Sequence, residues 1–238
     1  MKIFVINLDK CKERLGFMSR QLQTMGIDFE RVPAVYGKHL SAMERKRDYA
    51  YLRSILAIGR KLQDGEIGCS LSHISVYRKM RTEGVNKAVV LEDDVVLSDK
   101  FKIVIDKICG EMSESSPQVV LLSAHGVKDR KSDFEKERIS SGMCTDGYVI
   151  NLAAANLILD ANYPVVVVAD KWHRWVSRNG LELFRAWPTT VQQDNGRFGT
   201  EVNEILSSSR HGVRLLMWKF IRLIEVFADW LWYVVARK

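Results

Sequence analysis

The sequence is poor in several things that would have narrowed its class at once. Proline occurs 4 times and glycine 15 times in 238 residues. That excludes a collagen-like chain, and 47% hydrophobic residues is too much apolar side chain for a disordered one. The 4 cysteines, Cys11, Cys69, Cys109 and Cys144, include no C-x-x-C pair, which argues against a zinc knuckle or a thioredoxin-like redox site. No charge-free stretch approaches the roughly 18 residues of a bilayer-spanning helix, which excludes a polytopic membrane protein. The opening MKIFVINLDK carries charge by residue 9 and has no apolar core of signal-peptide length. With the scattered cysteines, it points to a reduced, cytosolic compartment.

Lys+Arg number 36 against 29 Asp+Glu, a net +7. The excess is not evenly spread. Residues 210–238 hold six cations against Glu225 and Asp229 and so carry +4, which leaves +3 for the other 209 residues. A uniformly basic nucleic-acid binder is therefore disfavoured. The length suits one globular domain with a small appendage, and we divide the chain into a main domain at 1–209 and a tail at 210–238.

Strand and helix patterns alternate along the first part. Residues 2–8 (KIFVINL) read as a buried strand, with Asp9 as helix N-cap ahead of Leu15, Met18, Leu22 and Met25 at helical spacing, and Gly26 as the stop. A second strand is expected at 28–32, giving the β-α-β opening of an α/β sheet. Residues 41–62 read as a charge-rich helical excursion and 66–81 as a further helix. Strands are expected at 87–91, 119–122, 148–150 and 181–187, and helices at 152–159 and 171–179. Residues 126–142 and 188–209 read as polar loops.

The strand KAVVL at 87–91 runs directly into Glu92, Asp93 and Asp94. A buried strand that ends in carboxylates places them at the carboxyl edge of an α/β sheet, where such sheets bind ligands. Neighbouring carboxylates repel unless a cation compensates them, and Mg²⁺ or Mn²⁺ is held by one or two carboxylates plus substrate phosphates. Two readings stand side by side: a metal–diphosphate site, or an acidic turn with Asp94 as a cap.

Four segments surround this cluster in order: VINLDKCKERL at 5–15, GEIGCSLSHISVYRKM at 65–80, VVLEDDVVLS at 89–98 and GYVIN at 147–151. Together they resemble glycosyltransferase family 25, the lipooligosaccharide-type β-glycosyltransferases of Gram-negative bacteria and their collagen-galactosylating relatives. The resemblance covers about residues 1–205. It implies one GT-A-like (Rossmann-like) nucleotide-sugar domain with a mixed, mostly parallel sheet, to which the tail adds an amphipathic helix. It also implies a UDP-sugar donor and Mn²⁺ (or Mg²⁺).

By that resemblance Glu92 or Asp93 faces ribose or sugar hydroxyls, and Asp94, with Asp93 and His173, supplies metal ligands. Asn7, Leu8 and Arg14 lie near the uridine, with Arg14 alternatively on a solvated helix face. Gly68 gives backbone room to a ligand. Ser72 belongs to the same motif, and His73 bonds the nucleotide or the acidic motif unless it is a satisfied core residue. Cys69 reads as a small buried hydrophobe. Asp170 is either the general base of an inverting transfer or a helix N-cap, with His173 as its partner. Gln193 and Asp194 close over donor or metal. His125 also ends a strand on the ligand side.

The tail RLLMWKFIRLIEVFADWLWYVVARK gathers its charges on one half of a helical wheel opposite Leu, Ile, Val, Phe, Trp and Tyr. Such a helix suits an anionic bilayer surface. Packing on the domain or on a second copy, as a homodimer, is the competing reading. The whole reads as an inverting, metal-dependent hexosyltransferase. It takes galactose first, acts on a lipid-linked lipooligosaccharide acceptor and sits peripherally on the inner face of the cytoplasmic membrane. A nucleotidyl- or phosphotransferase using the same acids, and a catalytically inactive membrane scaffold, are the rival classes.

Overall fold

The structure, a computed structural model, describes residues 1–194 and 197 apart from 126, 128, 129, 131 and 132. The tail at 210–238, with its expected amphipathic helix, lies outside the described residues. The opening unit is β1 (Lys2–Asn7), α1 (Lys12–Thr24) and β2 (Glu30–Pro33). A 3-10 turn (Gly37–His39) leads to α2 (Ala42–Asp48), α3 (Tyr51–Ile58) and the long α4 (Asp64–Glu83). Then follow β3 (Lys87–Glu92), β4 (Val95–Leu97), α5 (Phe101–Glu111), β5 (Gln118–Leu121) and β6 (Glu135–Ile139). The described chain closes with β7 (Gly147–Asn151), α6 (Leu152–Asn162), α7 (Trp172–Asn179), β8 (Glu182–Trp187) and β9 (Val191–Gln193).

Seven strands form one mixed sheet in the order β2-β1-β3-β7-β5-β8-β6. Five run the same way, while β7 and β6 are reversed. Successive side chains of a strand face opposite sides, and the core follows that rule. Phe4 and Ile6 of β1, with Ala88 and Val90 of β3, pack under α4, α6 and α7 against Ile74, Tyr77, Ile158, Trp172 and Trp175. Ile3, Val5, Val89 and Leu91 face the other way, toward Met18 and Leu22 of α1 and Phe101, Val104 and Ile108 of α5. Each such side chain contributes roughly 1.5–3 kcal/mol by leaving water, so the central strands are fixed by burial on both faces.

Several local expectations change. The N-cap of α1 is Cys11, with no side-chain cap bond; Asp9 instead pairs with Arg31. Gly26 ends the helix in the left-handed region at φ +64°, as the sequence suggested. The helical stretch expected at 41–62 consists of two short helices, parted where Asp48 and Ala50 exchange backbone hydrogen bonds with Val165. The expected loop at 126–142 contains β6, which pairs antiparallel with β8. Its sequence EKERI is charged because it is an edge strand, where charge blocks further pairing. The expected loop at 188–209 contains β9, which forms a separate two-stranded sheet with β4. Among the described residues no helix is long and apolar enough to cross a membrane.

Candidate active site

The carboxyl ends of β1, β3 and β5 meet at one edge of the sheet. The reversed β7 starts there too, since Leu91 pairs with Gly147. A cleft of about 480 Å³ opens at that edge. One wall comes from the strand ends and the start of β7: Leu8, Glu92, Asp94, Thr145 and Asp146. The other comes from the loop after β2 with Tyr36 and Lys38, from α4 with Ser72 and His73, and from Asp170 and Lys171 ahead of α7.

The three acids at the end of β3 have three different environments. Glu92 accepts a hydrogen bond from the Thr145 hydroxyl at 2.7 Å, and Nε2 of His73 lies 3.4 Å from the same oxygen. Burial works against its ionisation, but the His73 and Thr145 contacts and nearby Arg14 outweigh that and hold its pKa below the usual range. Asp93 is absent from the cleft wall. Its Oδ2 accepts from the Asn7 amide at 2.6 Å, and its Oδ1 accepts from Arg14 at 3.2 Å. Asp94 does line the cleft. Its Oδ2 receives Gln193 at 3.3 Å, while its Oδ1 is buried with no hydrogen-bond partner. Burial, then the charge of Glu92, pushes its pKa up to about 6.

An orphaned, buried carboxylate oxygen beside like charges is what a divalent cation relieves. Asp94 therefore fits a hard cation such as Mn²⁺ or Mg²⁺. A second cluster, Cys69, His73 and Glu92, brings one ligand atom each within 4.8 Å of one another, but it fits a cation poorly. The Nδ1 of His73 is 2.7 Å from the Tyr148 hydroxyl, the Glu92 oxygen already accepts two contacts, and burial holds the Cys69 thiol well above its ordinary pKa. This cluster is a hydrogen-bonded support for Glu92, continued by Tyr77 at 2.8 Å from the Tyr148 hydroxyl.

The sequence-derived residues divide accordingly. Leu8, Arg14, Ser72, His73 and Asp94 reach the cleft, as do Glu92, Asp170 and Gln193. Arg14 is not on a solvated face: its side chain is 11% exposed and lies 3.2 Å from Asp93 and 3.7 Å from Asp94. Asn7 is buried behind the wall, where it orients Asp93 and donates to the Cys11 carbonyl at 2.9 Å. Gly68 also stands off the cleft. A Cβ there would lie 2.5 Å from the Val35 carbonyl oxygen, so the glycine gives room to the neighbouring loop, not to a ligand. Ser72 accepts from the Val35 N–H at 2.9 Å and donates to the Gly68 carbonyl at 2.7 Å.

Two of the expected metal ligands stand away from the cleft wall. Asp93 has both oxygens engaged by Asn7 and Arg14. His173 is exposed on α7 and is not part of the cleft wall, because a residue one position past Trp172, whose ring is buried, points outward. Asp170 is not the N-cap of α7; Lys171 holds that position, with no side-chain cap bond. Among the described residues the Asp170 carboxylate has no hydrogen bond or ion pair. The backbone N–H of Asp194 donates to the Asp94 carbonyl at 2.7 Å, so β9 brings Gln193 and Asp194 to the acidic turn.

Thr145 and Asp146 are functional candidates that sequence reasoning missed. Asp146 is buried and accepts from the Ser123 hydroxyl at 2.6 Å and the Gly147 N–H at 3.1 Å. His125 Nε2 lies 2.8 Å from its other oxygen. The signal in the chain is an acid immediately before the GYVIN strand. It is easily passed over, because parallel strands present ligands at their ends and this strand presents them at its start.

The sequence profile described as glycosyltransferase family 25 (LPS biosynthesis protein) matches residues 1–172. The chain belongs to glycosyltransferase family 25. Procollagen galactosyltransferase 2 of Homo sapiens is 28% identical over 176 residues, covering 68% of this family-25 chain and 28% of the human protein. Its Mus musculus counterpart is 34% identical over 175 residues, with the same coverages. The Bos taurus protein named "Probable inactive glycosyltransferase 25 family member 3" is 31% identical over 215 residues, covering 82% of this chain and 35% of the relative. The family-25 chain thus spans about a third or less of the length of these relatives. Among solved structures, galactosyltransferase LgtC in complex with donor and acceptor sugar analogs is 13% identical, with a TM-score of 0.40 over 77% of this chain and 73% of that one.

Proposed function

We propose that the chain is a metal-dependent, inverting hexosyltransferase that moves galactose from a UDP-sugar to a hydroxyl of a lipooligosaccharide glycan. The observation that carries this reading is the unpartnered, buried Oδ1 of Asp94 on the wall of the cleft. Family membership gives the reaction class. The relatives named as galactosyltransferases support galactose, and the LPS biosynthesis wording of the family description supports the acceptor. We further propose that the 210–238 tail docks the enzyme on the inner face of the cytoplasmic membrane.

Asp94, supported by Gln193, holds the Mn²⁺ or Mg²⁺. When bound, the ion offsets charge on the departing diphosphate. Lys38 and Lys171 stand on the opposite wall, where ammonium groups favour phosphate oxygens. Arg14 keeps Asp93 and Asp94 together against their mutual repulsion. Glu92, fixed by His73 and Thr145, is ionised and presents a carboxylate to sugar or ribose hydroxyls. Asp170, an acceptor with no internal partner, takes the proton of the attacking hydroxyl. Inversion requires the base on the face opposite the leaving group, and Asp170 comes from a different element than Asp94.

Turnover of a panel of UDP-sugars, with and without Mn²⁺, tests the reading. UDP-galactose hydrolysis that needs the cation, and that falls at least about a hundredfold in Asp94→Ala at an unchanged melting temperature, is the expected result. Near-native turnover in that variant removes the metal role. Cation-dependent binding of nucleoside triphosphates with no UDP-sugar turnover instead assigns the cleft to nucleotidyl or phosphoryl transfer.

A further inference from the structure

Helix α3 packs on the domain through a narrow face, with Ser54 and Ala57 buried and the half-buried Ile58 against two core clusters. On the outer side it displays Tyr51 at 47%, Leu52 at 72% and Leu56 at 45% exposure, and Met43 of the adjacent α2 is 81% exposed. Leu52 and Leu56 are one helical turn apart and so form one ridge. Single exposed apolar residues are ordinary, whereas a cluster of large ones marks a contact surface. The burial available to α3 inside the domain does not explain the leucines, since Ser54, Ala57 and Ile58 take the inner positions.

The charge around this ridge says what would cover it. Residues 42–61 contain six cations against two acids. Arg45, Arg47 and Arg60 are paired with Asp64, Asp48 and Glu66. Lys46, Arg53 and Lys61 are exposed and carry no ion pair among the described residues. A second copy of the chain would set this cationic patch against itself. The 210–238 tail, with +4 of its own, would likewise meet charge of its own sign. A large apolar ridge flanked by unpaired cations matches an anionic lipid surface, in which leucine and tyrosine enter the acyl boundary while lysine and arginine remain among the headgroups.

We propose that the outer face of α3, with Met43 of α2, docks the domain on an anionic bilayer. The placement suits a cleft that works at a surface. The turn bearing Lys38 precedes α2, and Arg60 and Glu66 follow α3, and all three line the cleft. Docking through α3 would bring these cleft-lining segments, its neighbours in sequence, close to the membrane. This contact lies within the catalytic domain, separate from the tail, and it stands whether or not the cleft transfers a hexose.

The test is sedimentation of the full chain with vesicles of phosphatidylcholine alone and of phosphatidylcholine with phosphatidylglycerol, for the native chain and two variants. The first carries Leu52→Ser and Leu56→Ser, and the second Lys46→Gln, Arg53→Gln and Lys61→Gln. All five positions are exposed, so thermal unfolding should be unchanged, and the tail contributes equally to every sample. The expected result is preferential binding to the anionic vesicles. Partition should fall about tenfold in the leucine variant and about fivefold per cation removed in the second, with a shallower salt dependence. Native-like partition by both variants overturns the proposal. So does a native dimer that becomes monomeric in the leucine variant while vesicle binding stays the same, since the ridge would then be a subunit interface.

Discussion

Asp146 accepts three hydrogen bonds at the cleft edge, from Ser123, Gly147 and, through its second oxygen, His125. The hydrogen bond to Asp146 raises the His125 pKa, with burial opposing and the Asp146 charge reinforcing it. A group whose folded pKa lies above its unfolded value of about 6.5 stabilises the fold fully below that value. It loses the contribution as pH rises through the folded one. Thermal unfolding of His125→Gln against the native chain should therefore show a larger deficit at pH 5.5 than at pH 8.5; equal deficits would mean that the pair is not ionic. At this scale the acids of β3 are legible in the chain because a buried apolar run leads directly into three consecutive carboxylates. Their separate roles are not. Asn7 and Arg14 capture Asp93 across 86 and 79 residues of sequence, and that capture separates Asp93 from Asp94, which lines the cleft with Glu92.

Two elements cross where the turn at Gly37–His39 meets the start of α4. A Cβ on Gly37 would lie 1.7 Å from the Asp64 carbonyl oxygen, and one on Gly68 would lie 2.5 Å from that of Val35. Both obstacles are backbone and cannot rotate away. Gly37→Ala or Gly68→Ala should each cost about 3 kcal/mol and widen the cleft wall that carries Lys38. Gly110 is exposed in α5, and a methyl group there would meet nothing within 4 Å, so Gly110→Ala should add up to about 0.5–1 kcal/mol. Urea midpoints of the three variants test both signs together. Element by element, strands β1, β3, β5, β7 and β8 are legible because their apolar runs are buried on both faces. Strand β6 is hidden by its edge charges and β9 by its three-residue length. Helix α3 reads from sequence as part of a helical surface excursion, because a pattern of leucines does not say which side a neighbour covers.

At the scale of the molecule, among the described residues the three buried clusters run from Ile3 to Val191. A chain ending at residue 209 should keep its melting temperature and its donor hydrolysis. Under the two docking proposals it should also retain a weaker, salt-sensitive affinity for anionic vesicles through α3. Calorimetry and sedimentation on the shortened chain check these together; loss of the cooperative transition would show that the tail belongs to the core.

Local order along the chain is enough to specify the reaction class, the α/β layering and the acidic strand end. Each rests on runs of apolar residues, on their spacing, or on four motifs in succession. Which residues of those motifs face the cleft is settled by packing in three dimensions. Reversal of β7 brings its first residues beside the last residues of β3, so Thr145 and Asp146 join a site that parallel strands would have built from carboxyl ends only. Packing of the 35–37 loop on α4 makes Gly68 a loop support, and it gives Ser72, which lines the cleft, a second task in holding that loop. Spacing along a chain prescribes periodicity and burial. It does not prescribe which distant donor reaches a carboxylate first, and that choice separates Asp93 from Asp94.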